Sequence, residues 1–284
     1  MDKSLEDKIR AEIKKSGFPL ELELTEKLRN EDNVLVFSNI TFQNGEKSIR
    51  ELDVVAIFQD QDNEWSNGPV GSQLLIECKK TDKYPWVFFE EVYDPLTILG
   101  IVQKIDYSTD LKIEGRGSVL IGGANTELNQ HFYDDINISK ARTYFEALKG
   151  SNDSTIYKAV MNIFQGRKYL KELFSRQYEN RIVHSDKART FLRQYVIVLD
   201  GNLVLASKNT DDFDLQNVNH VILRSMDTDS KTSDYLFGDE VLIDVITREY
   251  FDTYVELTKK GLRHFTNHLN RVSKSNLLKI KPSK

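Results

Sequence analysis

Residues 72–79, SQLLIECK, form an apolar stretch that ends abruptly in Glu77, Cys78 and Lys79. Its run of Leu and Ile is typical of a buried β-strand. Because alternate residues of a strand point to the same face, Glu77 and Lys79 are predicted to lie side by side while Cys78 points away. Such charges are costly at the end of a buried strand unless they are paired or used. The alternative is a plain strand-end ion pair, which contributes little at a surface.

Residues 49–58 are predicted to form a neighbouring strand, and they carry Asp53 inside an otherwise apolar run, RELDVVAI at 50–57. If the two strands pair antiparallel, Asp53 and Glu77 meet across the pair. Two carboxylates repel each other unless a cation lies between them. Mg²⁺ is a hard cation that prefers oxygen ligands. We therefore expect a Mg²⁺ site formed by Asp53, Glu77 and the backbone carbonyl of Cys78, with Mn²⁺ as a substitute.

A site of this kind is suited to the hydrolysis of phosphodiester bonds. The metal would polarise the scissile phosphate and lower the pKa of an attacking water. Lys79 would stabilise the charge that develops on the phosphoryl oxygens. An alternative role for Lys79, orienting or deprotonating the water, requires that its surroundings lower its pKa. Cys78 is predicted to be a small buried residue rather than a nucleophile.

The rest of the chain alternates between helical and strand patterns. Helices are predicted at 5–15, 19–30, 139–148, 154–174 and 247–272, and strands at 34–42, 119–121, 195–199, 202–206, 220–223 and 241–245. The Asp200-Gly201 pair favours a hairpin between the strands at 195–199 and 202–206. We expect one α/β domain over residues 1–246, followed by a C-terminal helix and basic tail over 247–284.

Charge is distributed unevenly along the chain. The formal net charge is -5, yet residues 257–284 hold eight Lys or Arg and no Asp or Glu. Such a segment either binds phosphates or is simply solvated. Candidate contacts to a nucleic-acid backbone are Lys80, Arg167, Lys168, Lys259, Lys260 and Arg263. The charged N-terminus, the single cysteine and the lack of a long apolar stretch favour a cytoplasmic protein without membrane contact.

Asp53, followed 24 residues later by Glu77-Cys78-Lys79, resembles the signature of the PD-(D/E)XK nuclease superfamily. Leu52 stands where the signature has proline. Four segments occur in the same order as in uncharacterised bacterial proteins related to Mrr-type restriction endonucleases: GFPLE at 17–21, RELD at 50–53, IECK at 76–79 and PWVFF at 85–89. The resemblance covers roughly residues 10–90, with the motifs between 17 and 90.

The resemblance implies a restriction-endonuclease-like central mixed sheet flanked by helices, with a helical C-terminal extension. It also implies that a helix glutamate joins the catalytic metal site, and Glu21 is preferred over Glu23. The implied activity is a Mg²⁺-dependent endonuclease that acts on nucleic acid, with DNA favoured, in restriction or phage defence, and a homodimer is a further expectation. One alternative is a catalytically silent nucleic-acid-binding or regulatory protein on the same fold. Another is a structural protein, in which Asp53 and Glu77 would lie far apart.

Overall fold

The computed structural model of the chain describes residues 2–43, 48–60, 69–81, 83–91, 106–109, 112–113, 138–149, 154–181, 190–227, 239–274 and 280–281. The helices in these ranges are α1 (Lys3–Lys15), α2 (Phe18–Arg29), α3 (Thr155–Arg181) and α4 (Phe251–Lys274), and a single 3-10 turn (Arg248–Tyr250) precedes α4. The strands are β1 (Val34–Gln43), β2 (Ile49–Gln59), β3 (Val70–Lys80), β4 (Trp86–Glu90), β5 (Asp106–Thr109), β6 (Lys112–Ile113), β7 (Lys140–Glu146), β8 (Thr190–Asp200), β9 (Leu203–Lys208), β10 (Phe213–Asn217), β11 (His220–Asp227), β12 (Asp239–Thr247) and β13 (Ile280–Lys281).

One mixed sheet organises the molecule. Its strand order is β1-β2-β3-β8-β12-β11-β7-β4-β9-β10, and β5 pairs with β8 beside this path. The strands β1, β2 and β3 form an antiparallel meander, whereas β3, β8 and β12 run parallel. The two short strands β6 and β13 pair separately. The expected α/β fold with a mixed sheet and a C-terminal helix is therefore confirmed at this level.

Helices cover both faces of the central strands. On one face, α2 and α4 pack on a cluster that includes Val54, Ile76 and Val196. On the other, α3 packs on a cluster that includes Leu75 and Ile197. Because both faces are covered, the central strands are apolar at nearly every position, and every residue of β3 from 70 to 78 is buried. We call these surfaces the α2/α4 face and the α3 face.

Most of the predicted elements are present. The helices predicted at 5–15, 19–30, 154–174 and 247–272 correspond to α1 to α4, and Leu20, Leu24 and Leu28 form the buried side of α2. The strands predicted at 34–42, 49–58 and 72–79 correspond to β1, β2 and β3, and the two last pair antiparallel as expected. The strand predicted at 119–121 lies outside the described residues.

The helix predicted at 139–148 is wrong, because residues 140–146 form β7. This strand lies between β4 and β11, and it pairs antiparallel with β4 and parallel with β11. The alternating pattern of its Thr143, Tyr144 and Phe145 suits a pleated strand with one covered side. Pairing on both sides supplies hydrogen bonds that outweigh the weak helical spacing of the segment.

The hairpin predicted at Asp200-Gly201 is also wrong. Both edges of β8 are already occupied, by β3 on one side and by β12 and β5 on the other, so β9 pairs with β4 and β10 instead. Gly201 allows the backbone after β8 to pass close to the segment that follows β3. A Cβ atom at this position would lie 2.6 Å from the backbone oxygen of Thr81.

The C-terminal helix α4 is part of the core. Its side chains Phe251, Tyr254, Val255, Leu262, Phe265 and Leu269 are at most 3% exposed and belong to the cluster on the α2/α4 face. Within the described part of the chain, none of the helices is long and apolar enough to cross a membrane.

Candidate active site

Two neighbouring antiparallel strands position Asp53 and Glu77. The pairing of β2 with β3 runs to Val54 and Ile76, and Asp53 and Glu77 are the next residues on the two strands beyond this pair. Beyond this pair, a side chain continues the hydrogen bonding between the strands: Asp53 Oδ2 accepts a 2.6 Å hydrogen bond from the backbone N–H of Cys78. Asp53 is thereby held against the backbone next to Glu77, and its charge adds to the raised pKa of Glu77.

A local irregularity sets the orientation of Asp53. Leu52 and Val54 are two residues apart, yet Leu52 packs in the cluster on the α3 face and Val54 in the cluster on the α2/α4 face. Residues two apart in a regular strand share a face, so β2 twists at Asp53. On β1, Asn39 lies between the residues that pair with Leu52 and Val54, and its φ is 53°. Asparagine tolerates this left-handed conformation better than most residues.

Glu77 is fully buried, and only one of its two carboxylate oxygens accepts hydrogen bonds from the described residues. Its Oε1 accepts hydrogen bonds from Lys79 Nζ at 2.5 Å and from Asn162 Nδ2 at 2.9 Å. Its Oε2 is buried without a hydrogen-bond partner among the described residues. Burial, and secondarily the charge of Asp53, raise the pKa of Glu77 to about 7 against the opposing effects of Lys79 and Asn162. The described residues therefore hold one carboxylate oxygen of Glu77 and give the other no hydrogen bond.

Asp53 has a raised pKa for a similar reason. Burial is the largest cause, and the charge of Glu51 adds to it. The hydrogen bond from the Cys78 N–H and the charge of Lys79 act in the opposite direction. Asp53 and Glu77 together carry more negative charge than Lys79 neutralises, which is the situation that a bound cation relieves.

Lys79 remains an ammonium at this site. Burial lowers its pKa, but the charge and hydrogen bond of Glu77, together with the charge of Asp53, outweigh burial and raise it overall. Lys79 is therefore unsuited to the alternative role of deprotonating a water, which required a lowered pKa. Its Nζ also donates to the backbone carbonyl of Cys78 at 3.2 Å.

Glu21 and Glu23 lie in different surroundings. Burial and the charge of Asp53 raise the pKa of Glu21 to about 7, and Lys79 opposes them. Glu23 instead forms a bidentate ion pair with Arg248. Of the two, Glu21 is the one whose charge is felt at Asp53 and Lys79.

Cys78 points away from this site, as its strand position predicts. Its side chain is 3% exposed and packs in the cluster on the α2/α4 face, which contains Leu20 and Leu24. Burial, followed by the charge of Asp53, raises the pKa of its thiol well above the usual value. A protonated, buried thiol is a packing group rather than a nucleophile.

The donor set fits a hard divalent cation held by few protein ligands. Among the described residues, no three His, Cys, Asp or Glu side chains are grouped so that they could hold a metal ion. Mg²⁺ is commonly bound through only one or two carboxylates, with water and substrate phosphate completing its shell. The free Oε2 of Glu77 and the adjacent Asp53 meet that smaller requirement. Lys79 currently contacts two of the expected ligands, Glu77 Oε1 and the Cys78 carbonyl, so it would have to release them.

Asn162 is a site residue that the sequence interpretation missed. It lies on α3 and donates directly to Glu77. The neighbours Ala159, Ile163 and Gly166 belong to the side of the helix that packs on the sheet, and the first two are fully buried. A polar residue on an apolar helix face was the one signal that the sequence offered.

The residues expected to bind nucleic acid lie on both sides of the sheet. Arg167 on α3 is buried and partnered, whereas Lys168 on the same helix is exposed. Lys259, Lys260 and Arg263 lie on α4, across the sheet from the α3 face, and Lys259 pairs with Glu31 and Glu256. Lys80 is half-buried and contacts Asp200 at 3.4 Å. Lys168, Lys260 and Arg263 are the exposed members of the set.

Comparisons of the chain with protein-family models, with curated proteins and with solved structures give no match.

Proposed function

We propose that this protein is a metal-dependent nuclease that hydrolyses phosphodiester bonds, with DNA as the favoured substrate. The observation that carries the proposal is the Glu77 carboxylate, which is fully buried, beside Asp53, and held through only one of its oxygens. A buried carboxylate with a free oxygen is costly unless a ligand completes it. The order of the motifs around Asp53 and Glu77 supports a nuclease of the restriction-endonuclease-like class.

Asp53, Glu77 and the Cys78 carbonyl would hold Mg²⁺, and Glu21 would support them. When bound, the ion would supply polarisation of the scissile phosphate and acidification of a water. Asn162 holds the Glu77 carboxylate in position through Oε1. It would continue to do so after Lys79 has moved away from that oxygen.

Lys79 would then act on the substrate. Burial lowers its pKa but Glu77 and Asp53 raise it overall, so Lys79 is an ammonium in the metal-free chain. Once it is released from Glu77 it can donate to the phosphoryl oxygens, where a fixed ammonium stabilises developing negative charge. Its side chain is 23% exposed, so it can reach a ligand at the carboxyl end of β3 without crossing the core.

The test is cleavage of plasmid, single-stranded DNA and RNA with Mg²⁺ or Mn²⁺. We expect metal-dependent cleavage that falls at least about a hundredfold in Asp53→Asn, Glu77→Gln and Lys79→Met, in line with the loss of a charge-stabilising group. Two variants serve as matched controls and should remain active: Glu23→Gln, an acid on the same helix as Glu21, and Cys78→Ser, between the two site residues.

Each other outcome has a definite meaning. Binding of Mg²⁺ and DNA by the wild type without cleavage would support the catalytically silent binding protein. Cleavage that survives in all three site variants would place the activity elsewhere. Absence of both metal binding and cleavage would refute the proposed site.

A further inference from the structure

Helix α1 presents an apolar stripe to solvent. Leu5, Ile9 and Ile13 are spaced at i, i+4 and i+8, so they share one side of the helix. They are 51%, 41% and 53% exposed, and α1 contains no buried residue. On α2, Phe18 and Leu22 are also more than 60% exposed. Five of the 14 large apolar side chains that are exposed among the described residues thus lie in the first 22 residues.

A helix of this length has little stability by itself. In water, isolated helices shorter than about 12–15 residues are marginal, and helices in proteins depend mainly on the packing of an apolar side. None of the 13 residues of α1 is fully buried in the single chain, and its three stripe side chains stay about half exposed. A partner that covers the stripe would supply the missing packing.

The charges of α1 are separated along its length. The first part, residues 2–7, holds three acids (Asp2, Glu6 and Asp7) and one base (Lys3). The second part, residues 8–15, holds four bases (Lys8, Arg10, Lys14 and Lys15) and one acid (Glu12). An antiparallel copy of the same helix would place acidic part against basic part, whereas a parallel copy would oppose like charges. Antiparallel helix dipoles add to this preference.

We propose that α1 is the surface through which two copies of this chain pair, with their helices antiparallel across a two-fold axis close to Ile9. Such an interface is self-complementary and closed, because each copy offers the same stripe and the same two charged parts. The stripe supplies the apolar contact, and the charges set the direction of the helices. The proposal stands independently of the nuclease activity.

Pairing through α1 would also bring two candidate sites into one particle. Lys80, the last residue of β3, donates from Nζ to the backbone oxygen of Lys14 at 2.8 Å. The basic end of α1 is thereby attached to the strand that carries Glu77 and Lys79. If the chain is a nuclease, the pair holds two such sites, one for each strand of a duplex.

Sedimentation of the full chain over a range of concentrations tests the pairing. We expect a monomer–dimer equilibrium whose Kd rises at least about tenfold in Ile9→Glu, because a charge is then buried at the centre of the interface. Leu215→Glu is the matched control, since Leu215 is an exposed leucine on β10, far along the sheet from α2. Because Ile9 has no role in the core, circular dichroism should show that Ile9→Glu melts as the wild-type monomer does.

Cysteine cross-linking tests the direction of pairing. The native Cys78 is buried, so an introduced cysteine on α1 would be the accessible one among the described residues. We expect a mixture of Leu5→Cys and Ile13→Cys chains to form mixed disulfides faster than either chain alone, and Leu215→Cys chains to cross-link only at the collisional rate.

A wild type that stays monomeric, or a dimer equally stable in Ile9→Glu and Leu215→Glu, would overturn the proposal. Preferential linking of Leu5→Cys to itself would overturn the antiparallel arrangement. Glu77→Gln should leave pairing unchanged, which separates this result from the fate of the nuclease proposal.

Discussion

Glu77 destabilises the metal-free chain once it is ionised. Its carboxylate is buried, and its pKa is raised from 4.5 to about 7 by burial first and then by Asp53. For an acid with a raised pKa in the folded state, the unfolded chain loses its proton first as pH increases. The contribution of Glu77 to stability is therefore fully present below its unfolded pKa of about 4.5, and it is lost as pH rises through its folded pKa of about 7.

This linkage predicts that Glu77→Gln gains stability relative to wild type as pH rises. In the presence of a chelator, the Tm difference should grow in favour of the variant by several °C between about pH 5 and pH 8, because about 1 kcal/mol corresponds to roughly 2–4 °C in a domain of this size. Differential scanning calorimetry at several pH values measures it. Asn209→Ala, which removes no ionisable group, should show no such trend. A difference that is constant with pH would contradict the assignment of a strained carboxylate to Glu77.

Asn162 is expected to position Glu77 rather than to contact the substrate. Its hydrogen bond lowers the pKa of Glu77, so Asn162→Ala should raise that pKa further and loosen the carboxylate. We expect nuclease activity to fall by about tenfold or more, in the range for hydrogen bonds to charged groups, and the acidic limb of the pH–rate profile to move to higher pH. Asn209→Ala, in the exposed turn between β9 and β10, is the control. A loss of activity with an unchanged pH profile would indicate a purely structural role.

At the residue scale, short-range rules were sufficient for part of the site. The two-residue period of a strand predicted that Glu77 and Lys79 share a face, and their 2.5 Å contact confirms it. The same rule placed Cys78 on the opposite face. Asn162 could not be predicted in the same way, because it comes from a distant helix and the sequence does not say which part of α3 approaches β3.

The packing of α3 against β2 is the element-scale feature that holds Asn162 in place. Gly166 lies one turn after Asn162 on α3, and a Cβ atom at this position would lie 2.3 Å from Cδ2 and 3.0 Å from Cγ of Leu52. Leu52 is fully buried, so its side chain cannot turn out into solvent to make room. The glycine thus permits the helix to approach the strand beside Asp53.

Gly166→Ala should push α3 away from the sheet. Overpacking of a core costs about 1–3 kcal/mol, so we expect a lower Tm together with reduced activity, because Asn162 moves away from Glu77. Leu52→Ala added to Gly166→Ala should recover part of the activity by making room for the methyl group. Glu172→Ala, an exposed change on the same helix, should alter neither quantity. Unchanged stability in Gly166→Ala would mean that the approach of α3 to Leu52 is looser than described.

The elements that the sequence predicted wrongly share a cause. Residues 140–146 became β7, and β9 did not return to β8, because in both cases the pairing partner is remote in sequence. Local propensity is a weak guide where a strand can gain hydrogen bonds on both edges. By contrast, α2 and α4 were predictable because one side of each helix is apolar at helical spacing.

The order of the strands across the whole sheet could not be read from local patterns. The meander of β1, β2 and β3 follows chain order, but β8 and β12 join it from later in the sequence. β8 pairs along the whole of β3 and the helices cover both of its faces, so Glu77 lies near the end of a buried strand. The cost of its charge, and hence the argument for a cation, comes from this arrangement of the whole molecule.

The expected boundary between the α/β domain (residues 1–246) and the C-terminal helix can be tested by measuring whether the chain unfolds cooperatively without that helix. A chain that ends at residue 246 would lose the six α4 side chains that cover the α2/α4 face. Burial of each large apolar side chain contributes about 1.5–3 kcal/mol. Their sum is similar to the entire stability of a typical domain, about 5–15 kcal/mol.

We therefore expect the chain of residues 1–246 to lack cooperative thermal unfolding, and its near-ultraviolet circular dichroism to be lost. Leu269→Ala in the full chain is the matched control. It removes one buried side chain of the same helix, so it should lower stability by about 2–5 kcal/mol while unfolding stays cooperative. Cooperative unfolding of the 1–246 chain would mean that α4 is an extension which the sheet can release. Loss of cooperative unfolding would make α4 a structural part of the domain that carries Asp53 and Glu77.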